Sequence, residues 1–157
     1  MRVLLATGDE PREGRMQRML EVTGHEVIRK AARGEELLAS IEVTGHIHAA
    51  AVSQGTLGKR WPRLLRQLRK RVPSLPVVLL LGRKADRVWR LAILAGAFEA
   101  VPAGAPEEAA VQALHHALAY TEGEGRKGAL GEGCGCGEDR SAAQSLVQDI
   151  AATMRNC

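Results

Sequence analysis

The most reactive side chains of this chain are thiols: two lie one residue apart in Cys134-Gly135-Cys136, and a third is Cys157. Close thiolates bind soft metal ions or form mixed disulfides. A CxC pair without a second pair or histidines falls short of a structural zinc set. Cys134 and Cys136 are therefore weak metal candidates, and no metal or other cofactor is expected. His46 and His48 could share one side of a strand, but two imidazoles with no third ligand are a poor metal set as well. Ser53 and Thr56 supply hydroxyls, and Asp9 supplies a carboxylate just after the first apolar run. A serine becomes a nucleophile only beside an activating base. The densest charge cluster is Lys59-Arg60-Trp61-Pro62-Arg63, continuing through Arg66, Arg69, Lys70 and Arg71, with no acidic residue between Glu42 and Asp86. At helical spacing Arg63, Arg66 and Lys70 share one exposed face, with Trp61 at its amino end. That face is either a solvated surface or a docking site for an acidic protein or a phosphate backbone.

The elements that must position these residues alternate from the start. Val3-Leu4-Leu5-Ala6 reads as a buried strand running into the loop Thr7-Gly8-Asp9, and Pro11 suits the first turn of a helix. Met16, Met19 and Leu20 recur at helical spacing up to a stop at Gly24. Glu26–Arg29 is a second strand, and Glu35–Val43 a second helix through Leu37, Leu38 and Ile41. Ala49–Val52 is a small-residue strand followed by the loop Ser53–Gly58. Pro62–Val72 is helical, with Leu64, Leu65 and Leu68 opposite the cations. Val77–Leu81 is the strongest strand. A helix from about Asp86 to Ala95, a strand at Glu99–Val101 and a helix over Pro106–Tyr120 complete the pattern. His115 and His116 fall on that last helix.

Five strands alternating with five helices give a parallel sheet covered on both faces. Right-handed crossovers lead to an α/β, doubly wound, five-stranded parallel sheet in the order 2-1-3-4-5. A ligand would then sit beyond the carboxyl ends of the strands, among the loops Thr7–Glu10, Ser53–Gly58 and Gly82–Ala85. Residues 1–120 form this domain. Residues 121–140 include seven glycines and read as a flexible linker. From Ser141, with Gln144 placed for a capping box, an apolar stripe through Leu146, Val147, Ile150 and Met154 marks a short amphipathic helix over 141–157.

Composition excludes several classes. At 157 residues, 45% hydrophobic and 25% charged, the chain has the balance of one globular domain. Aromatic residues make up only 3%, which argues against single-strand nucleic-acid binding by stacking. Three cysteines are too few for a disulfide-stapled fold, the apolar opening is too short for a signal peptide, and no run approaches a membrane span. A cytoplasmic, non-membrane protein is expected. Residues 1–120 carry 18 basic and 12 acidic side chains, and residues 121–157 carry 4 and 6. The basic excess lies in the domain and permits an anionic partner.

The stretch Ser53–Leu81 resembles the receiver domain of two-component response regulators: loop, basic helix, the connector Val72-Pro73-Ser74-Leu75-Pro76 and strand follow without gaps. The resemblance extends over residues 2–120, through Asp9-Glu10-Pro11, Ala95-Gly96-Ala97, Val101-Pro102 and Pro106-Glu107-Glu108. It implies an acidic pair holding Mg²⁺, an acceptor aspartate, a hydroxyl after strand four and a lysine after strand five, because charge on the transferred group must be neutralised. Here those positions are Gly8 and Asp9, Ser53, Leu81 and Ala103. Only Asp9 is retained. Leu81 and Ala103 should leave the pocket small and apolar.

The expected function is a non-catalytic pseudo-receiver, a phosphorylation-independent interaction module of a signalling pathway. Its partner is a protein, a second copy of the chain being one candidate, and nucleic acid is disfavoured because no reader element is present. The resemblance implies a partner surface on the fourth helix, fifth strand and fifth helix, with Trp89, Arg90, Ile93, Phe98 and Glu99. Two alternatives are a basic-surface nucleic-acid or anionic-partner binder through the third helix, with Arg63, Arg66 and Lys70, and a thiol- or metal-responsive regulator through Cys134 and Cys136.

Overall fold

The computed structural model describes residues 1–82, 85–102 and 104–129. Strands β1 (Arg2–Ala6), β2 (Glu26–Arg29), β3 (Ala49–Ser53), β4 (Val77–Leu81) and β5 (Glu99–Pro102) alternate with helices α1 (Glu10–Val22), α2 (Gly34–Thr44), α3 (Gln54–Leu57), α4 (Trp61–Arg71), α5 (Ala85–Leu94) and α6 (Glu107–Ala129). Every strand pair is parallel and the order is β2-β1-β3-β4-β5. This is the topology expected from the alternation.

Side chains alternate across each strand, so the sheet feeds two cores. Leu4, Ala50, Val52, Leu79 and Leu81 pack with Leu37, Leu65 and Leu68 on one face. Val3, Leu5, Ala51, Val78 and Leu80 pack with Met16, Leu20, Leu114 and Leu118 on the other. Burying each such leucine contributes roughly 1.5–3 kcal/mol. Alanine is a weak strand former, so Ala49-Ala50-Ala51 is a strand because β1 and β4 flank both its edges. Its small side chains lie beside larger ones, Ala50 next to Leu4 and Ala51 next to Leu5.

Three features depart from the sequence expectation. The loop after β3 contains a short helix, α3, started by Ser53: its side chain accepts a hydrogen bond from the Thr56 N–H. Trp61 is not at the edge of the basic surface but only 6% exposed, in the core with Leu64, Leu65 and Leu68. Spacings of three, four and seven residues put all four on one helical stripe. Arg63, Arg66 and Lys70 are exposed, as expected. Finally, α6 continues through residues 121–129, the start of the stretch read as linker. Once a helix is nucleated each added residue gains a hydrogen bond, which offsets part of the glycine cost.

The chain divides into two units, Met1–Arg126 and Lys127–Cys157. Cys134, Cys136, Cys157, the expected helix 141–157 and Ala103 lie outside the described residues.

Candidate functional site

The carboxyl ends of β1, β3 and β4 converge on an opening of 200 Å³ lined by Thr7, Asp9, Arg12, Ser53, Leu81 and Gly82, among others. The polar groups there are largely engaged with one another. Ser53 Oγ accepts the Thr56 N–H at 2.9 Å and shares a 2.7 Å hydrogen bond with Thr56 Oγ1. The Gly82 N–H donates to Gln54 Oε1 at 2.9 Å, tying the end of β4 to α3. Asp9 is the N-cap of α1, with its Oδ1 accepting from the Arg12 N–H at 3.2 Å. Leu81 is buried beneath the opening. The opening is more polar than expected because Thr7, Asp9 and Arg12 line it.

Two residues that sequence reasoning passed over organise this edge. Glu13, on the first turns of α1, is 5% exposed. Its Oε1 accepts the Thr7 N–H at 2.6 Å, the Thr7 hydroxyl at 3.0 Å and the Gly8 N–H at 3.1 Å. Its Oε2 pairs with Arg29 Nε at 3.1 Å. A buried carboxylate is tolerable only when its lone pairs are met in this way. The donors come from the turn after β1 and the end of β2, so Glu13 sets the course of the β1–α1 turn. Gly8 takes φ +70° there, a left-handed value that glycine adopts without strain. Arg12 reaches across the opening, and its Nη2 donates to the Ala105 carbonyl at 3.3 Å. Beside it Arg15 binds Glu107 Oε1 and holds the Glu107 carboxyl below the usual carboxylate range. Neither Glu13 nor Arg12 had a legible spacing signal. Arg29 lies 16 residues from Glu13 and Ala105 93 from Arg12, while Thr7 and Gly8 reach Glu13 only through the turn before α1.

The proposed partner residues lie on another surface. Trp89 is 49% exposed and Leu94 74%, and Leu91, Ile93, Phe98 and Tyr120 are exposed as well. The Phe98 and Tyr120 rings are 5.4 Å apart and tilted. Val88, Ala92 and Ala95 instead pack into the core, so α5 presents apolar side chains on both its buried and its solvent sides. Arg90 is exposed, and Glu99 Oε2 lies 3.6 Å from His116 Nδ1. Between β5, at the edge of the sheet, and α6 runs a groove of 360 Å³ lined by Glu99, Val101, Ala105, Ala109, Ala113 and His116, among others.

The histidines do not form a metal set. His48 Nδ1 accepts the Arg2 N–H at 3.1 Å, and His46 is exposed with φ +43°. The His25 and His115 rings lie 5.4 Å apart between centroids and are tilted by 51°. Desolvation, then the positive amino terminus and His115, push the His25 pKa below its ordinary value, against the pull of Glu122. Among the described residues no three His, Cys, Asp or Glu side chains group to hold a metal ion, and no helix is long and apolar enough to cross a membrane.

Solved structures share this architecture. A response regulator receiver domain from Clostridium thermocellum superposes with a TM-score of 0.65 at 21% identity, over 77% of this chain and 96% of that one. A CheY-like receiver domain from Methanospirillum hungatei JF-1 gives 0.67 at 21% identity, over 78% and 97%. A protein named adenylate cyclase from Rhodopirellula baltica gives 0.70 at 19% identity, over 82% and 95%. No protein-family profile matches the chain, and comparison with curated proteins finds no match. The fold is that of the response-regulator receiver domain, a five-stranded member of the flavodoxin-like class.

Proposed function

We propose that this chain is a receiver-fold signalling module that acts by binding a protein partner, without catalysis and without phosphorylation. The observation that carries this reading is the chemistry of the opening at the end of β3. Where the receiver resemblance implies an acceptor carboxylate there is Ser53, its hydroxyl engaged as the cap of α3 and with Thr56. The one carboxylate lining the opening, Asp9, caps α1, and the Arg12 guanidinium lines the same space. This donor set does not suit Mg²⁺, which takes hard oxygen ligands with carboxylates among them. A resident cation beside Asp9 further disfavours a second one. Leu81, buried at the end of β4, has no hydroxyl with which to contact a phosphoryl group. Of the positions read as a degenerate phosphorylation pocket, Asp9 and Ser53 serve here as helix caps.

Partner binding then falls to the apolar surface of α5, the Phe98 turn and α6. A chain with four aromatic residues that leaves Trp89, Phe98 and Tyr120 in solvent has placed three of them where a partner can bury them. A second copy of the chain is one such partner. A second reading, binding of an acidic partner, is favoured by α4, where Arg63, Arg66 and Lys70 are exposed within a stretch free of acidic residues from 43 to 85.

Incubation with acetyl phosphate and Mg²⁺ followed by intact-mass measurement tests the reading. The expected result is an unmodified mass. A stoichiometric phospho-adduct would overturn it, and loss of that adduct in Ser53→Ala would make Ser53 the acceptor.

A further inference from the structure

The carboxyl edge of the sheet carries a second opening, and it is the larger one. A cleft of 390 Å³ lies between the β1–α1 turn, the β2–α2 connection and α3, lined by Gly8, Glu10, Glu13, Arg29, Lys30 and Arg33, among others. The close approach of Gly8 to α3 separates it from the opening at Ser53: a Cβ on Gly8 would lie 3.3 Å from Thr56 Oγ1.

Three cations lie on its rim within five residues. Arg29 is the last residue of β2. The Lys30 N–H is held by the Leu5 carbonyl at 2.9 Å. Arg33 is the N-cap residue of α2 and makes no capping bond with its side chain. The acidic side of the cleft is weaker than its composition suggests. The Glu13 carboxylate is buried and already takes two N–H groups, a hydroxyl and the Arg29 guanidinium. Its charge is compensated within the fold. Among the described residues neither Lys30 nor Arg33 has a side-chain ion pair, so the cleft keeps an excess of positive charge over the lone Glu10.

Position supports a ligand as well. In a doubly wound sheet the strand order reverses beside β1, and the crevice beyond the carboxyl ends at that point is where such folds bind ligands. Gly8 follows β1, Arg29 to Arg33 follow β2 and Thr56 follows β3, so the cleft straddles the reversal. Its volume falls within the range of about 300–1,000 Å³ usual for small-molecule sites. Guanidinium and ammonium groups gathered in one cleft suit phosphoryl oxygens, which accept charge-assisted hydrogen bonds.

We propose that this cleft binds the phosphate of a small phosphorylated ligand, held by Lys30 and Arg33, with Arg29 shared between the ligand and Glu13. The site is independent of the partner-binding reading above and of the Ser53 opening.

Isothermal titration of the full chain with AMP, and separately with inorganic phosphate, tests the proposal. Backbone amide spectra recorded during both titrations locate the binding. The expected result is saturable binding of AMP, with shifts centred on Gly8, Lys30 and Arg33, weakened by about tenfold or more in the Lys30→Ala/Arg33→Ala variant. Equal binding of inorganic phosphate would place recognition in the phosphoryl group alone. Preference for AMP would extend it to the attached moiety. No saturable binding of either up to about 1 mM would overturn the proposal. So would shifts centred on Ser53, Gly55 and Gly82, or binding undiminished in the double variant. The wild-type spectra decide the matter even where the variant folds poorly.

Discussion

The carboxyl edge of the sheet and the α5–β5–α6 surface use their side chains in opposite ways. At the edge around Ser53, polar groups are turned inward: Glu13 gathers Thr7, Gly8 and Arg29, Ser53 holds Thr56, and Gln54 holds Gly82. On the other surface apolar groups are turned outward, with Trp89 half exposed and Leu94 largely so. The polar side chains of the first region are bonded within the fold, whereas the second leaves large apolar side chains exposed. Substitutions should separate the two regions cleanly.

The largest effect is expected at Glu13. Glu13→Ala removes the acceptor for two backbone N–H groups and a hydroxyl and leaves Arg29 without its partner, for a loss of about 3 kcal/mol by denaturant unfolding. A loss below about 0.5 kcal/mol would show that the turn is held by something else. Ser53→Ala should cost about 1 kcal/mol through loss of the α3 cap. A catalytic serine without a structural role would show no such cost.

The comparison is sharpened by a region belonging to neither side. The His25 pKa is lowered in the folded chain, first by desolvation and then by the nearby positive charges. The unfolded chain therefore takes up a proton more readily as pH falls through the ordinary value of 6.5. Stability present above that pH should decline as pH drops toward the lower folded-state pKa. Thermal melts between pH 7.5 and 5 check this, and His25→Gln should flatten the dependence. An unchanged slope in His25→Gln would assign acid sensitivity elsewhere.

The smallest effect on stability is expected on the outward surface. Leu94→Gln, at the most exposed of these side chains, should change unfolding free energy by less than about 0.5 kcal/mol. Fluorescence offers an independent check, because Trp61 is buried and Trp89 is not. Acrylamide should quench the wild type strongly and Trp89→Phe weakly. Strong quenching of Trp89→Phe would place Trp61 in solvent and contradict the core described above.

What the sequence disclosed follows from which interactions are local. Strands such as Val77–Leu81 and helices such as Trp61–Arg71 announce themselves by periodicity, and short crossovers then leave few topologies. Trp61 was misplaced although its spacing to Leu64, Leu65 and Leu68 was on view, because the neighbouring cations drew it to the basic face. Helix α3 was missed because four residues including Gly55 carry no periodicity. Its only signal was Ser53 three residues before Thr56. At the site, the strand ends place Gly8, Asp9 and Ser53 in the candidate loops, and the receiver resemblance adds Leu81. Glu13 and Arg12 were missed, because their partners are brought to them by the fold and not by spacing.

The central claim is that the Ser53 edge is committed to internal hydrogen bonds and does not accept a phosphoryl group. The most direct measurement is a two-dimensional amide spectrum of the labelled chain before and after addition of Mg²⁺ with beryllium trifluoride, a phosphoryl mimic. The account predicts that the amides of Asp9, Ser53, Thr56 and Gly82 stay in place and that α5 does not respond. Saturable shifts at Ser53 and Gly82 that spread into Trp89 and Ile93 would contradict it, and would return this chain to the phosphorylation-switched receivers.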